Sequence, residues 1–115
     1  MSRRAAAIAL YILLALSATA AQDHLLVRQA AEAVRTAYHC PQFRPAAELS
    51  RALRHRDIEL ASPAFAPTWL EAIERIEALF ENTSSDEKPQ LCEVFWGLYG
   101  DEGSAERGWL EVGPQ

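Results

Sequence analysis

The sequence is short of positive charge. It contains 11 lysine and arginine residues against 16 aspartate and glutamate residues, and its formal net charge at pH 7 is −5. Lys88 is the only lysine. Nucleic-acid binding depends on neutralising phosphates with lysine and arginine, so this composition argues against a nucleic-acid partner. The scarcity of lysine beside abundant arginine and alanine is typical of a GC-rich bacterial genome.

The sequence also lacks the motifs that usually identify an enzyme. It contains no nucleophile elbow, Walker loop, dinucleotide fingerprint, metalloprotease helix or haem-attachment motif. It has no C-x-x-C pair of the kind that binds zinc. We therefore expect neither an enzyme nor a bound cofactor or metal ion. The alternative is a small enzyme, or an accessory subunit of an exported enzyme, that uses His39 or Glu71.

The N-terminal residues have the three-part pattern of a secretory signal peptide. Two arginines precede an uncharged run over residues 5–16, and residues 18–20 form an A-x-A cleavage pattern. The run is shorter than the roughly 20 apolar residues of a transmembrane helix. We expect cleavage after Ala20 or Ala21, no stable membrane anchor afterwards, and a periplasmic or secreted protein. The alternative is an uncleaved N-terminal anchor.

The chain has only two cysteines, Cys40 and Cys92. Paired thiols persist as disulfides in the oxidising compartments outside the cytoplasm, so an exported chain is expected to join them. A bond that closes so long a loop stabilises the folded state by about 4 kcal/mol in the chain-entropy treatment. Two other interpretations remain open. Cys40 could be a nucleophile activated by His39, or His39, Cys40 and Cys92 could together bind a metal ion.

Apolar residues repeat at helical spacing in four segments. The predicted helices cover residues 23–38, residues 45–55, a segment that starts with the capping box of Thr68 and Glu71, and a segment that starts between residues 85 and 89. Gly100 is expected to end the last helix in a left-handed conformation. The predicted fold class is all-α, a small four-helix bundle with one disulfide, preceded by a signal peptide.

The predicted organisation is a single small domain. Residues 1–20 form the signal peptide, residues 21–100 form the helical domain, and residues 101–115 form a partly flexible C-terminal tail. The tail contains three glycines and a short apolar group around Trp109 and Leu110. It either docks onto the bundle or remains loose.

The aromatic residues of the last helix and the tail are the strongest indication of a binding surface. Aromatic side chains at helical spacing usually form core, but this face is broader than one neighbouring helix can cover. Exposed apolar patches commonly bind partners, and arginines could steer a partner of suitable charge. The residues expected to contact a protein partner are Trp96, Tyr99 and Trp109, together with Arg51, Arg54 and Arg56.

The residues Cys40, Pro41, Gln42 and Phe43 form a C-x-x-F pattern at the first cysteine. In this pattern, and as a small exported helical domain with one long-range disulfide, the chain resembles the acid-stress chaperones of the periplasm. The resemblance implies a client-binding aromatic surface that is uncovered when glutamate and aspartate side chains protonate. The leading hypothesis is an exported non-enzymatic protein that binds another protein in the periplasm, with acid-stress chaperoning as the first alternative.

Overall fold

The computed structural model describes residues 3–114, with side chains from Thr19 onward. Within these residues the chain forms four helices and one two-stranded antiparallel sheet. The elements in chain order are α1 (Arg3–His39), β1 (Phe43–Pro45), α2 (Ala47–His55), α3 (Ala66–Glu81), α4 (Lys88–Tyr99) and β2 (Leu110–Val112). The predicted helical bundle with one disulfide is confirmed. The fold is not purely helical, because β1 and β2 pair as strands.

Helix α1 runs without a break over its whole length. Almost all of the predicted signal peptide, residues 1–20, has side chains outside the described part of the chain, so its cleavage stays a prediction. Asp23 lies within α1 and accepts a hydrogen bond from Arg56 Nε at 2.9 Å. Among the residues that the structure describes, no helix combines the length and the apolar character that crossing a membrane requires.

The core forms around α1, whose buried residues are mostly small. The buried residues of α1 include Val27, Ala30, Ala33 and Ala37. Because helix separation depends on the side chains at the contact, alanine allows the neighbouring backbone to come close. Larger side chains fill the core from the other elements, including Ile76, Phe80, Phe95, Tyr99, Trp109 and Leu110.

The predicted disulfide between Cys40 and Cys92 is present. Cys40 directly follows α1 and Cys92 lies in α4, and their Cα atoms are 5.9 Å apart. Helix α1 ends here because Pro41 disfavours a helical conformation in the residue before it. The bond holds the C-terminal end of α1 against α4. It also excludes the nucleophile and metal interpretations of the two sulfurs, since both are committed to the bond.

The C-terminal segment docks through the antiparallel pairing of β1 with β2. Pro45 lies opposite Leu110. Proline has no N–H, and it is tolerated here because this pair exchanges no backbone hydrogen bond. The hydrogen bonds between the two segments continue at the next residue, where Ala46 N–H donates to Trp109 O at 2.8 Å. Of the two outcomes expected for the tail, the structure shows docking.

The turn after α4 requires glycine at two positions. Gly100 has an extended backbone (φ −72°, ψ −164°) instead of the predicted left-handed one. A Cβ on Gly100 would lie 2.6 Å from the Trp96 ring, and a Cβ on Gly103 would lie 2.5 Å from the carbonyl oxygen of Leu98. The absence of side chains at both positions lets the C-terminal segment turn back closely across the end of α4.

Three helices begin at different residues from those predicted, and the first of them is α1, which begins at Arg3 and not at residue 23. Helix α2 begins at Ala47 because Pro45 belongs to β1. Helix α3 begins at Ala66, so Thr68 lies in its first turn and makes no cap. Thr68 Oγ1 bonds instead with Nδ1 of His24 in α1, at 2.8 Å. The hydroxyl that was expected to satisfy the backbone of α3 therefore joins α3 to α1.

We predict that removing the disulfide lowers the stability of the domain. Replacing Cys40 and Cys92 together by alanine frees a long loop in the unfolded chain, so the free energy of unfolding should fall by about 2–5 kcal/mol. Urea denaturation followed by circular dichroism measures this fall, with the oxidised wild type as reference. A fall smaller than about 1 kcal/mol would contradict a stabilising role for the bond.

The small residues of α1 give a second prediction. Replacing buried Ala33 by leucine forces a larger side chain into a filled core, which should lower the free energy of unfolding by about 1–3 kcal/mol. The same replacement at Ala78, which is exposed on α3, is the control and should change stability by less than about 0.5 kcal/mol. Equal stability of the two variants in urea denaturation would show that α1 is not closely packed.

Candidate partner-binding groove

Two of the three aromatic residues predicted to contact a partner are buried. Tyr99 is 1% exposed and Trp109 is 2% exposed, and their nearly parallel rings have centroids 6.1 Å apart. The Tyr99 hydroxyl donates a hydrogen bond to Glu32 of α1. Burial, followed by this bond, raises the pKa of Tyr99 far above its ordinary value, so the hydroxyl keeps its proton even in alkaline solution. The structure therefore assigns both rings to the core, because solvent hardly reaches them.

Trp96 is the aromatic residue of that set that solvent reaches. One side of its indole ring stacks on Phe43, with centroids 4.9 Å apart and an angle of 20° between the planes. The backbone of Gly100 also packs against the indole ring. Trp96 is half-buried. Its orientation is thus held by two contacts while part of the ring remains accessible.

The accessible part of Trp96 lines an open groove of about 420 Å³, which we call the Trp96 groove. The groove lies where the start of α2, the end of α4 and strand β2 meet, so its walls come from three separate parts of the sequence. Its apolar lining consists of Trp96 with Ala46, Ala47, Leu110 and Val112. An aromatic ring beside aliphatic walls can bury the apolar part of a ligand.

Three carboxylates line the Trp96 groove, and two of them already have cationic partners. Glu48 pairs with Arg51, and Glu111 pairs with Arg44 at 2.7 Å. Asp101 accepts a hydrogen bond from the next backbone N–H at 3.0 Å but forms no ion pair within the described residues. It follows the C-terminal end of α4, where the helix dipole adds negative potential. The groove therefore offers one carboxylate that lacks a cationic partner.

The three arginines predicted to steer a partner have three different environments. Arg51 is exposed and paired with Glu48. Arg54 is exposed, and no acidic side chain in the described part of the chain forms an ion pair with it. Arg56 is half-buried and bonds to Asp23, which ties the end of α2 to α1. Arg51 and Arg54 thus remain at the surface, whereas Arg56 has a structural contact.

A second groove, of about 680 Å³, lies between α2 and the segment that follows α4. Its charged lining is mixed, with Arg51, His55 and Arg107 beside Glu48 and Glu106. Burial raises the pKa of Glu106 above its ordinary value. Because cations and carboxylates lie together here, the groove shows no clear preference for a ligand of either charge.

A third cavity, of about 430 Å³, lies at the connection between α2 and α3. It is lined by apolar residues, namely Leu60, Ala61, Ala66, Trp69 and Leu70. Polar groups fix the orientation of a ligand in most binding sites, and the indole N–H of Trp69 is the one polar group that the side chains of this lining carry. The second groove also has a tryptophan, Trp109, in its lining, but of these three cavities the Trp96 groove is the one whose charged side chains are all carboxylates.

His39, one of the two residues considered for catalysis, lies in a polar cluster between α1 and α3. Its Nε2 is 2.8 Å from Glu77 Oε1, and Arg35 bonds to the same carboxylate. Its ring stacks on Phe80 with centroids 4.4 Å apart. Burial, followed by the charge of Arg35, lowers the pKa of His39, so a neutral ring donates to Glu77. Glu71, the other candidate, is exposed on α3 and does not belong to this cluster.

Sequence reasoning found Trp96 and missed the rest of the groove. Asp101 follows the end of a helix, where polar residues are common, and Val112 falls in the segment predicted to be a partly flexible tail. Val112 meets Trp96 because β1 pairs with β2, whereas Asp101 lies close to Trp96 along the chain. No spacing within the sequence predicts that pairing, so no local signal could have found Val112.

The lining of the Trp96 groove is part apolar and part acidic. Its lining combines an aromatic ring, aliphatic side chains and carboxylates, and it includes no histidine, cysteine or hydroxyl side chain. In the part of the chain that the structure describes, no group of three His, Cys, Asp or Glu side chains converges so as to hold a metal ion. Comparisons with protein-family models, curated proteins and solved structures give no match.

The environment of His39 predicts a pH dependence of stability. Because the folded state lowers the pKa of His39, it binds the proton less readily than the unfolded chain does. Stability should therefore decline as the pH falls from above 6.5 to below it, and His39→Gln should remove this part of the decline. Urea denaturation between about pH 7.5 and about pH 5 measures the effect.

The control for this prediction is His55→Gln, which removes an exposed histidine of α2. This variant should keep the decline of the wild type, because His55 makes no contact with the cluster around His39 in the described residues. Equal declines in the wild type and in His39→Gln would contradict the prediction.

Proposed function

We propose that this protein is a small exported, non-enzymatic domain that binds another protein through the Trp96 groove. The observation that carries the proposal is the position of Trp96. Its ring is fixed by Phe43 and Gly100, yet part of it remains open to solvent inside the groove. Tryptophan is strongly enriched among the residues that dominate binding energy at protein interfaces, and a ring that is already held loses little freedom on binding.

Export is supported by the covalent structure and by the sequence. The Cys40–Cys92 bond is of the kind that persists in oxidising compartments such as the bacterial periplasm. The N-terminal residues have the pattern of a signal peptide. The proposed location is therefore the periplasm or the extracellular space, where the partner must also be found.

A non-enzymatic role is supported by the lack of reactive side chains in the groove and by the contacts that His39 already makes. That histidine is already hydrogen-bonded to Glu77 and stacked on Phe80, so both its polar and its apolar surface serve the contact between α1 and α3. Glu71 is exposed on α3 and lies outside the cluster that His39 forms with Glu77 and Arg35. Binding is the role for which the accessible residues of the molecule are suited.

Two exposed valines provide a matched test of the proposal. Val112 is 70% exposed and lines the Trp96 groove, whereas Val94 is 59% exposed on α4 and does not line it. Val112→Lys places a charge where the partner would bury apolar surface, so it should reduce recovery of the partner at least about tenfold. Val94→Lys should leave recovery unchanged. Cross-linking in periplasmic extract, followed by affinity capture and quantitative mass spectrometry, measures recovery.

Circular dichroism and thermal unfolding of both variants verify that they fold as the wild type does. Equal recovery by the two variants would show that the partner does not use the Trp96 groove. Failure of the wild type to enrich any protein over an unrelated exported domain would contradict a protein-binding function altogether.

A further inference from the structure

We infer that the partner segment places a lysine or arginine side chain in the Trp96 groove, with its charge beside Asp101. This inference rests on the proposed function and concerns the chemistry of the partner. It follows from three features of the groove: its aromatic and aliphatic lining, its charges, and the open surface of α4 next to it.

The lining of the groove fits the stem of a long basic side chain. Phe43 stacks on the Trp96 ring and the Gly100 backbone packs over it, so the part of the ring that reaches the groove supplies apolar contact. Ala47 and Val112 line the groove beside it, so methylene groups between the backbone and the charge would be removed from water. A purely apolar side chain would gain the same burial without an attraction to the carboxylates of the groove.

The charges of the groove also fit a cation. Asp101 has no ion-pair partner among the described residues, while the other two carboxylates of the groove are each paired with an arginine. A guanidinium or ammonium group would supply the missing positive charge. The formal net charge of −5 attracts a basic segment of a partner and disfavours a second copy of the same chain.

The surface of α4 next to Trp96 leaves room for the backbone of a partner. Gly97 is exposed, and a Cβ at this position would meet no atom within 4 Å. Glycine weakens a helix relative to alanine, and within the described residues no crowding requires it here. Gly97 does not line the groove, and the open surface above it can admit the backbone of a partner whose side chain enters the groove.

The test is an NMR titration of the exported protein with two short blocked peptides, in which either an arginine or a glutamate stands between two leucines. Binding is followed through the indole N–H signals of Trp69, Trp96 and Trp109, of which that of Trp96 should shift. The arginine peptide should reach half-saturation at about a tenfold lower concentration than the glutamate peptide. Asp101→Asn should remove most of this preference. Asp86→Asn, at a carboxylate outside the groove, should preserve it.

Equal half-saturation by the two peptides would overturn the inference, as would an unchanged Trp96 signal up to about 10 mM arginine peptide. A Trp96 signal that shifts on dilution of the protein alone, with a dimer in sedimentation, would assign the groove to a second copy and also overturn it. A captured partner that is lost with Val112→Lys but retained with Asp101→Asn would reject the basic side chain while leaving the proposed function intact.

Discussion

The disulfide between Cys40 and Cys92 brings β1 beside α4, and the tertiary structure around the groove depends on that constraint. Phe43 follows Cys40 closely in the sequence, and its ring stacks on Trp96, which follows Cys92 in α4. One pair of segments is therefore joined twice, first by a covalent bond and then by a ring contact. Because the bond has already restricted the unfolded chain, the ring contact loses little further entropy when it forms.

Helices were predictable because their signals are local, and the sheet was not because its contacts are distant. Apolar periodicity and proline positions located α3 and α4 closely, but the start of α3 was misplaced. Thr68 has the sequence of a cap, yet its hydroxyl bonds to His24, 44 residues away. The strands β1 and β2 have three residues each, too few for an alternating pattern, and they pair across most of the domain.

The candidate site shows the same difference between local signals, which the sequence carries, and distant contacts, which it does not. Residues 91–100 indicated an aromatic face, but the sequence does not say which rings the tail covers. Tyr99 is covered because Trp109 returns to stack on it. Trp96 is covered in part, by the ring of Phe43 and the backbone of Gly100, and the rest of its surface lines the groove. The sequence predicted Arg56 to be a surface cation that steers a partner, whereas in the structure it bonds to Asp23. Composition predicted the type of side chain at the site, and tertiary contacts decided its accessibility.

The C-terminal segment belongs to both the core and the site, which couples stability to binding. Trp109 and Leu110 are almost fully buried, and Val112, at the end of the same strand, is exposed beside the groove. A truncation that removes β2 would therefore open the core and dismantle the groove together. Small domains have little surface that does not also support their core. Substitutions at exposed positions such as Val112 and Asp101 leave the buried pair in place, so they are the changes that separate binding from folding.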